Sequence, residues 1–306
     1  MTIAERATAP TATEYVHLNG RLTPFAEASV SIYDHGFLYG DGAFEGIRVY
    51  EGNIFRLDDH VARLFRSAKA LGIDLKTTRQ AITDAIVATV ATNRLASGYI
   101  RVTVSRGIGL GLDPSHIDLT PTIAISTNAR MRLYAPEMYV NGLDVITAST
   151  RVPPSVCVDP QIKSLGRYVN NIMAKQEAAR VGAGEALMLN MQGNVAEATG
   201  DNIFVLSGGV VRTPPTHQGA LPGITRAAVM DIAGEFGIEV REQELTLYDV
   251  VNADEVFLTG TAAEIVPVAM CDNRRIGSGV AGDVTKRLME RFQTLARAQG
   301  TTVPTA

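Results

Sequence analysis

Apolar positions along the chain fall into two rhythms, an alternation of period two that marks strands and a period near 3.6 that marks helices. Residues 15–22 read as two short strands around Asn19-Gly20, the strongest two-residue hairpin signal. Phe44, Ile47 and Val49 fill a stretch over 42–50 that ends at the turn Glu51-Gly52-Asn53. A helix follows over 58–71, capped by Asp58 or Asp59, with Val61, Leu64, Phe65, Ala68 and Leu71 as its core stripe. Arg63 falls on the polar side of that pattern, where an exposed arginine is the default. A second helix near 77–91 and strands over 99–104 and 122–126 complete a first lobe.

The polar stretch 127–136 breaks both rhythms and marks a connection between lobes. Beyond it the pattern predicts a strand over 144–149, a helix over 168–181, a strand over 186–190, a Gln192-Gly193 turn and a strand over 202–206. A Gly208-Gly209 turn leads to a further strand, then come a helix over 225–236, strands over 239–247 and 255–258, and a last helix over 283–298. The expected protein is α+β with two domains: a flexible tail over 1–14, a small N-terminal domain over 15–126, an interdomain loop over 127–136 and a large C-terminal domain over 137–306.

Composition agrees with that division, since 306 residues exceed the usual size of one compact core. Hydrophobic residues at 46% and charged residues at 20% exclude a wholly disordered chain. No apolar run approaches the roughly 20 residues of a membrane span, and the Ala/Thr/Pro-rich start lacks the basic-then-apolar order of a signal peptide; a cytoplasmic protein is expected. Cys157 and Cys271, far apart and without paired histidines, suggest buried thiols rather than a disulfide or a zinc site, and no metal is expected. A net charge of -4 and a pI near 5.8 argue against a nucleic-acid groove.

Candidate chemistry centres on Lys163, in Pro160-Gln161-Ile162-Lys163-Ser164-Leu165-Gly166-Arg167-Tyr168. The chain has five lysines among its 28 basic residues, and four have ordinary places: Lys69 and Lys286 on polar helix faces, Lys76 in a connector, Lys175 at the end of a helical turn. Lys163 lies between apolar Ile162 and Leu165, where partial desolvation would lower its pKa and leave an amine able to attack carbonyls. Arg101 sits inside an apolar strand, pointing away from Ile100 and Val102 and sharing its face with Tyr99 and Thr103; it suits a carboxylate or a structural salt bridge.

Leu221-Pro222-Gly223-Ile224-Thr225-Arg226 turns into a helix whose free N–H groups would bind an anion, unless it is simply a Thr-capped helix. Thr259-Gly260-Thr261-Ala262-Ala263-Glu264 is either a tight turn or a close backbone approach to a ligand. Glu197, among small residues, either faces solvent or pairs with a cation. Gly107-Ile108-Gly109-Leu110-Gly111 does not open a helix and reads as a loop, and no Gly-x-Ser-x-Gly elbow supports a hydrolase.

Taken in order, Tyr39-Gly40, Phe44-Glu45-Gly46-Ile47-Arg48, Tyr99-Ile100-Arg101, Lys163 with Tyr168, Glu197, the 221–226 turn and the 260–264 turn resemble the branched-chain amino-acid aminotransferases. These are class IV transaminases of the fold-type IV pyridoxal-phosphate group, and the resemblance runs from Tyr15 to about Phe292. It implies a small N-terminal α/β lobe and a larger, β-barrel-like C-terminal lobe that binds pyridoxal 5'-phosphate. Lys163 would be the Schiff-base lysine and the proton carrier, with Tyr168 on the cofactor's phenolate oxygen and Glu197 on its pyridinium nitrogen. Leu221 would pack on the ring, and Arg63, Gly223, Ile224, Thr225 and Thr261 would surround the phosphate.

By the same resemblance, Thr261, the Ala262 N–H and the Tyr99 hydroxyl would meet the substrate α-carboxylate. Arg101 and Tyr39 would serve the distal carboxylate of glutamate; Phe44, Tyr39, Tyr168 and Leu110 would shape the apolar pocket, and Arg48 joins the substrate-binding set. The implied reaction is ping-pong transamination of Val, Leu and Ile with 2-oxoglutarate. It would take place in a homodimer at least, with no nucleic-acid or membrane partner.

Two positions depart from the family pattern. Arg167 stands where relatives carry small or amide residues, and Tyr134 lies near the place of an acid-recognising tyrosine. Activities on the same fold stay open: a D-amino-acid or (R)-amine transaminase, or an aminodeoxychorismate lyase. A binding protein with a structural lysine is the non-enzymatic alternative.

Overall fold

The computed structural model describes residues 14–113, 117–118, 120–129 and 133–304; apart from Glu14, the tail expected over 1–14 lies outside them. The described chain separates into two compact units. The first takes the described part of Met1–Met131 together with Ile162–Gly166 and the described part of Ala296–Ala306; the second takes the described part of Arg132–Gln161 and Arg167–Leu295.

In the first unit, β1 (Tyr15–Leu18) and β2 (Arg21–Pro24) form the expected hairpin, with Asn19 and Gly20 both at positive φ as its two-residue turn requires. The short α1 (His35–Tyr39) leads into β3 (Gly42–Tyr50) and β4 (Asn53–Ile54), and then come α2 (Leu57–Ala70), α3 (Arg79–Thr92) and β5 (Gly98–Ser105). The short β6 (Ile108–Gly109), inside the 107–111 stretch expected to be loop, pairs with β7 (Ile117–Asp118), and β8 (Thr122–Asn128) runs two residues into the expected linker. The sheet order is β18-β4-β3-β5-β8-β1-β2, where β18 (Thr301–Thr302) returns from the C-terminus. Alternation along β3 and β5 sends Ile47, Val49, Ile100, Val102 and Val104 into a core shared with Leu57, Val61, Leu64 and Ala68 of α2 and Ile82, Ile86 and Val90 of α3.

Helix α2 corrects two expectations. Its N-cap is Arg56, in the left-handed region and without a side-chain cap, while Asp58 and Asp59 lie inside the first turn, where carboxylates favour the dipole. Its buried face also includes His60, Arg63 and Ser67 beside the apolar stripe.

The second unit holds α4 (Met138–Asn141), β9 (Leu143–Thr147), α5 (Tyr168–Arg180), β10 (Glu185–Leu189), β11 (Val195–Ala198), β12 (Asn202–Ser207) and β13 (Val210–Thr213). After these come α6 (Ile224–Glu235), β14 (Val240–Glu242), α7 (Leu247–Val251), β15 (Glu255–Gly260), β16 (Glu264–Cys271), β17 (Arg274–Arg275) and α8 (Asp283–Ala298), whose last residues belong to the first unit. The main strand path is β11-β10-β9-β16-β15-β12-β13-β14, with β17 pairing β16. Ala174 and Ala178 of α5 share a buried core with Ala186, Met188 and Ala196.

Two of these strands have weak sequence signals. Val195–Ala198 is buried on both faces, so it lacks alternation, and its alanines have low β-propensity. Glu264–Cys271 contains Pro267, which the sheet accommodates because pairing with β9 begins only at Val268. The strand expected over 239–247 stops at Glu242, because the Asp249 carboxylate accepts the Thr246 N–H at 2.7 Å and starts α7. Lys175 is mid-helix, its Nζ donating to the Gly184 carbonyl and Glu185, and Cys157 is exposed whereas Cys271 is buried. Among the described residues no helix is long and apolar enough to cross a membrane.

Candidate active site

Lys163 owes its place to β3. The Phe44 N–H donates to the Lys163 carbonyl at 3.0 Å, the Leu165 N–H to the Gly42 carbonyl at 2.8 Å and the Gly166 N–H to the Gly40 carbonyl at 2.9 Å. Ala43 and Ser164 form an isolated bridge, so residues 162–166 line the edge of the first sheet. The Lys163 N–H donates to Ser67 Oγ of α2 at 3.1 Å. Gly40 is required here: its φ is +68°, and a Cβ would lie 2.7 Å from Gly166 Cα.

Register between β3 and β5 places Phe44 opposite Thr103, Gly46 opposite Arg101 and Arg48 opposite Tyr99, so these six residues share one face. The Arg101 guanidinium carbon stands 3.6 Å from the Phe44 ring centroid and Lys163 Nζ 4.7 Å from the same centroid. Gly46 leaves room for the Tyr99 hydroxyl, with which any Cβ would collide. Arg101 Nε donates to Thr103 Oγ1 at 3.2 Å. Arg48 lies over Tyr50 at 4.9 Å, while Tyr39, edge-on to His35, and Leu110 are exposed.

On the opposite face of β3, the Glu45 carboxylate accepts Nε and Nη2 of Arg63, both at 2.8 Å, and pairs with His60 Nδ1 at 2.8 Å. Burial alone would raise this carboxyl, but the Arg63 charge and the hydrogen bonds from Arg63 and His60 outweigh it and hold it at about 2. Burial pushes the His60 imidazole down, so Nδ1–H of the neutral ring donates to Glu45. Arg63 is therefore 3% exposed, not solvent-facing. Sequence reasoning missed Glu45 and His60 as its holders, although Glu45 shares the core side of β3 with Ala43 and Ile47, where an acid needs a cation.

In the second unit, Glu197 lies on β11 opposite Met188 and is buried, not solvent-facing. Its Oε1 accepts Arg167 Nη2 at 2.5 Å and its Oε2 accepts the Leu221 N–H at 2.8 Å. Arg167 is thus half of a buried ion pair rather than an added free charge. The Tyr168 ring, at the start of α5, lies 5.6 Å from its guanidinium carbon.

Asn202 Nδ2 donates to the Leu221 carbonyl at 2.9 Å, and its Oδ1 presses so closely on Gly223 that no Cβ fits there. Helix α6 starts at Ile224 with Gly223 as N-cap and no capping side chain, which overturns the Thr-capped alternative and leaves Thr225 buried in the first turn. The first-turn N–H groups lack intrahelical acceptors and carry the positive end of the dipole, a donor set that fits a phosphate. Half-buried Thr261 and Ala262 make the turn between β15 and β16.

Tyr134 is engaged inside the second unit. Its hydroxyl lies 3.0 Å from Glu185 Oε2 and 3.1 Å from Asp201 Oδ2, inside the second core. One phenolic proton serves one carboxylate at a time, and burial with the neighbouring Glu185 charge pushes Asp201 up to about 7.

Residues 42–271 match the family model described as amino-transferase class IV. The chain belongs to that family. A Methanocaldococcus jannaschii protein, provisionally named a branched-chain-amino-acid aminotransferase, is 44% identical over 93% of this chain and 97% of its own length. The branched-chain-amino-acid aminotransferase of Pseudomonas aeruginosa is 39% identical over 90% of each chain. Among solved structures, the Escherichia coli branched-chain amino acid aminotransferase superposes with a TM-score of 0.90 at 32% identity, covering 94% of this chain and 96% of its own. The Thermobaculum terrenum enzyme, in its pyridoxal-phosphate form, gives 0.85 at 31% identity, covering 94% and 95%. The α+β fold expected from sequence is the fold of these enzymes.

Proposed function

We propose that this chain is a pyridoxal-phosphate-dependent branched-chain-amino-acid aminotransferase, moving the amino group of L-valine, L-leucine or L-isoleucine to 2-oxoglutarate. One observation carries the reading: the Phe44 ring has Arg101 at 3.6 Å and Lys163 Nζ at 4.7 Å, so an amine, an apolar surface and a guanidinium serve one place. A site that takes both leucine and glutamate needs that combination. The names of the relatives support the same reaction, and one solved branched-chain amino acid aminotransferase is complexed with N-(5'-phosphopyridoxyl)-L-glutamate.

When bound, pyridoxal phosphate supplies an aldehyde and an electron sink. Lys163 would hold it covalently, and its amine would serve as the proton carrier. Glu197 would keep the ring nitrogen protonated, Tyr168 would hold the phenolate oxygen and Leu221 would cover the ring. Arg63, the N–H groups of Gly223 and Ile224, and the hydroxyls of Thr225 and Thr261 would bind the phosphate. Thr261, the Ala262 N–H and the Tyr99 hydroxyl hold the α-carboxylate; Arg101 and Tyr39 receive a distal carboxylate, with Arg48 on the same sheet face. Phe44, Tyr39, Tyr168 and Leu110 line the apolar part.

L-leucine, L-valine and L-isoleucine are expected to outrun D-alanine and (R)-1-phenylethylamine with 2-oxoglutarate as acceptor. The reverse order in a steady-state donor panel would replace this reading with the D-amino-acid or (R)-amine one. Pyruvate release from aminodeoxychorismate without an acceptor would replace it with the lyase.

We also propose a homodimer. Phe37 at 73%, Ile32 at 65% and Leu112 at 81% exposure leave a large apolar area near Tyr39 and Leu110 that a second copy would cover. Light scattering is expected to give twice the 32.7 kDa chain mass, and a monomer at micromolar concentration would contradict it.

A further inference from the structure

We propose that Arg167 is a positioning residue, which keeps Glu197 ionised and fixed in orientation so that the shared proton stays on the cofactor's ring nitrogen and not on the carboxylate. This rests on the reading that Glu197 faces that nitrogen. The side chains of Arg167 and Glu197 are 1% and 6% exposed, with Nη2 and Oε1 2.5 Å apart. A carboxylate removed from solvent needs a cation facing it, because desolvation disfavours the charged form. A protonated Glu197 next to an unprotonated ring nitrogen holds the same number of protons as the ion pair but makes a poorer electron sink. The guanidinium touches the carboxylate directly and therefore stabilises the charged arrangement.

The surroundings make this assignment specific. Glu197 Oε2 is occupied by the Leu221 N–H at 2.8 Å, so both oxygens are held from the protein side while each retains a lone pair. Nε and Nη1 of Arg167 have no partner among the described residues, and Glu197 is the one carboxylate it bonds there. Tyr168 and Asp159 are the other titratable groups whose charge acts on the guanidinium, and burial opposes its charge. A purely packing residue would not be charged, and a surface arginine would not lose solvent on every side.

The test uses the full chain loaded with pyridoxal phosphate labelled with nitrogen-15 in the ring. In the parent protein and in R167K the ring-nitrogen resonance is expected at the protonated position; in R167Q it is expected to move toward neutral pyridine. The half-reaction with L-leucine should slow by about ten- to hundredfold in R167Q, the usual cost of removing a partner that orients a functional group, and recover in R167K. An unmoved resonance in folded R167Q overturns the proposal. If R167Q does not fold, R167K decides: a protonated resonance upholds the role of the charge, and a neutral one overturns it. Failure of the parent to take up the cofactor would instead sink the functional reading, which keeps the two outcomes apart.

Discussion

Lys163→Ala is expected to lower transamination by at least about a thousandfold, while the protein stays folded and still binds pyridoxal phosphate noncovalently. The size follows from the two roles proposed for this position, the amine that would bond the cofactor and the base that would move the Cα proton. Folding should survive, because the hydrogen bonds that tie this segment to β3 and α2 involve the backbone of Lys163 and Leu165, which alanine at 163 leaves in place. Small primary amines added in solution should restore part of the proton transfer, since they replace the lost base without its positioning. Rates with and without added amine, beside a thermal melt, check this. A fully active alanine variant would remove Lys163 from the chemistry.

Glu45→Ala is expected to destabilise the first unit by about 3–5 kcal/mol, because it leaves Arg63 buried without its carboxylate. The same change should weaken cofactor binding, since Arg63 would no longer be held by two bonds in one orientation. The pH dependence has a definite sign. Glu45 titrates near 4.5 when unfolded and about 2 when folded, so its stabilisation is present above 4.5 and is lost as pH falls through 2. That difference corresponds to about 3 kcal/mol at neutral pH. His60, held neutral by burial, acts in the same direction: stability declines as pH falls below its ordinary 6.5. Denaturant midpoints measured from pH 7 down to 2 should fall less steeply below 4.5 in Glu45→Gln than in the parent. Identical slopes would mean that Glu45 titrates normally.

Much of the fold was legible because local signals agreed with tertiary packing. Asn19-Gly20 makes its hairpin, and the helix expected near 77–91 forms as α3. Arg101 was legible too, since period-two alternation decides which strand face a side chain takes. Arg63 was hidden for a physical reason. A helix stripe counts apolar residues, and the buried face of α2 is partly polar because Glu45, 18 residues earlier, supplies the partner. Glu197 was legible as an acid that either faces solvent or pairs with a cation, but its partners were not, since Arg167 and Leu221 lie close only after β11 and α5 are placed. The segment 162–166 joins the first unit through hydrogen bonds to β3, a pairing that no local pattern encodes.

The proposed chemistry depends most on Lys163 being the amine that carries the cofactor. The direct measurement is peptide mapping by mass spectrometry after loading the purified chain with pyridoxal phosphate and reducing it with borohydride. A single phosphopyridoxyl label on Lys163, with Lys69, Lys76, Lys175 and Lys286 unmodified, is the predicted result. A label on another lysine, or none at all, would contradict it.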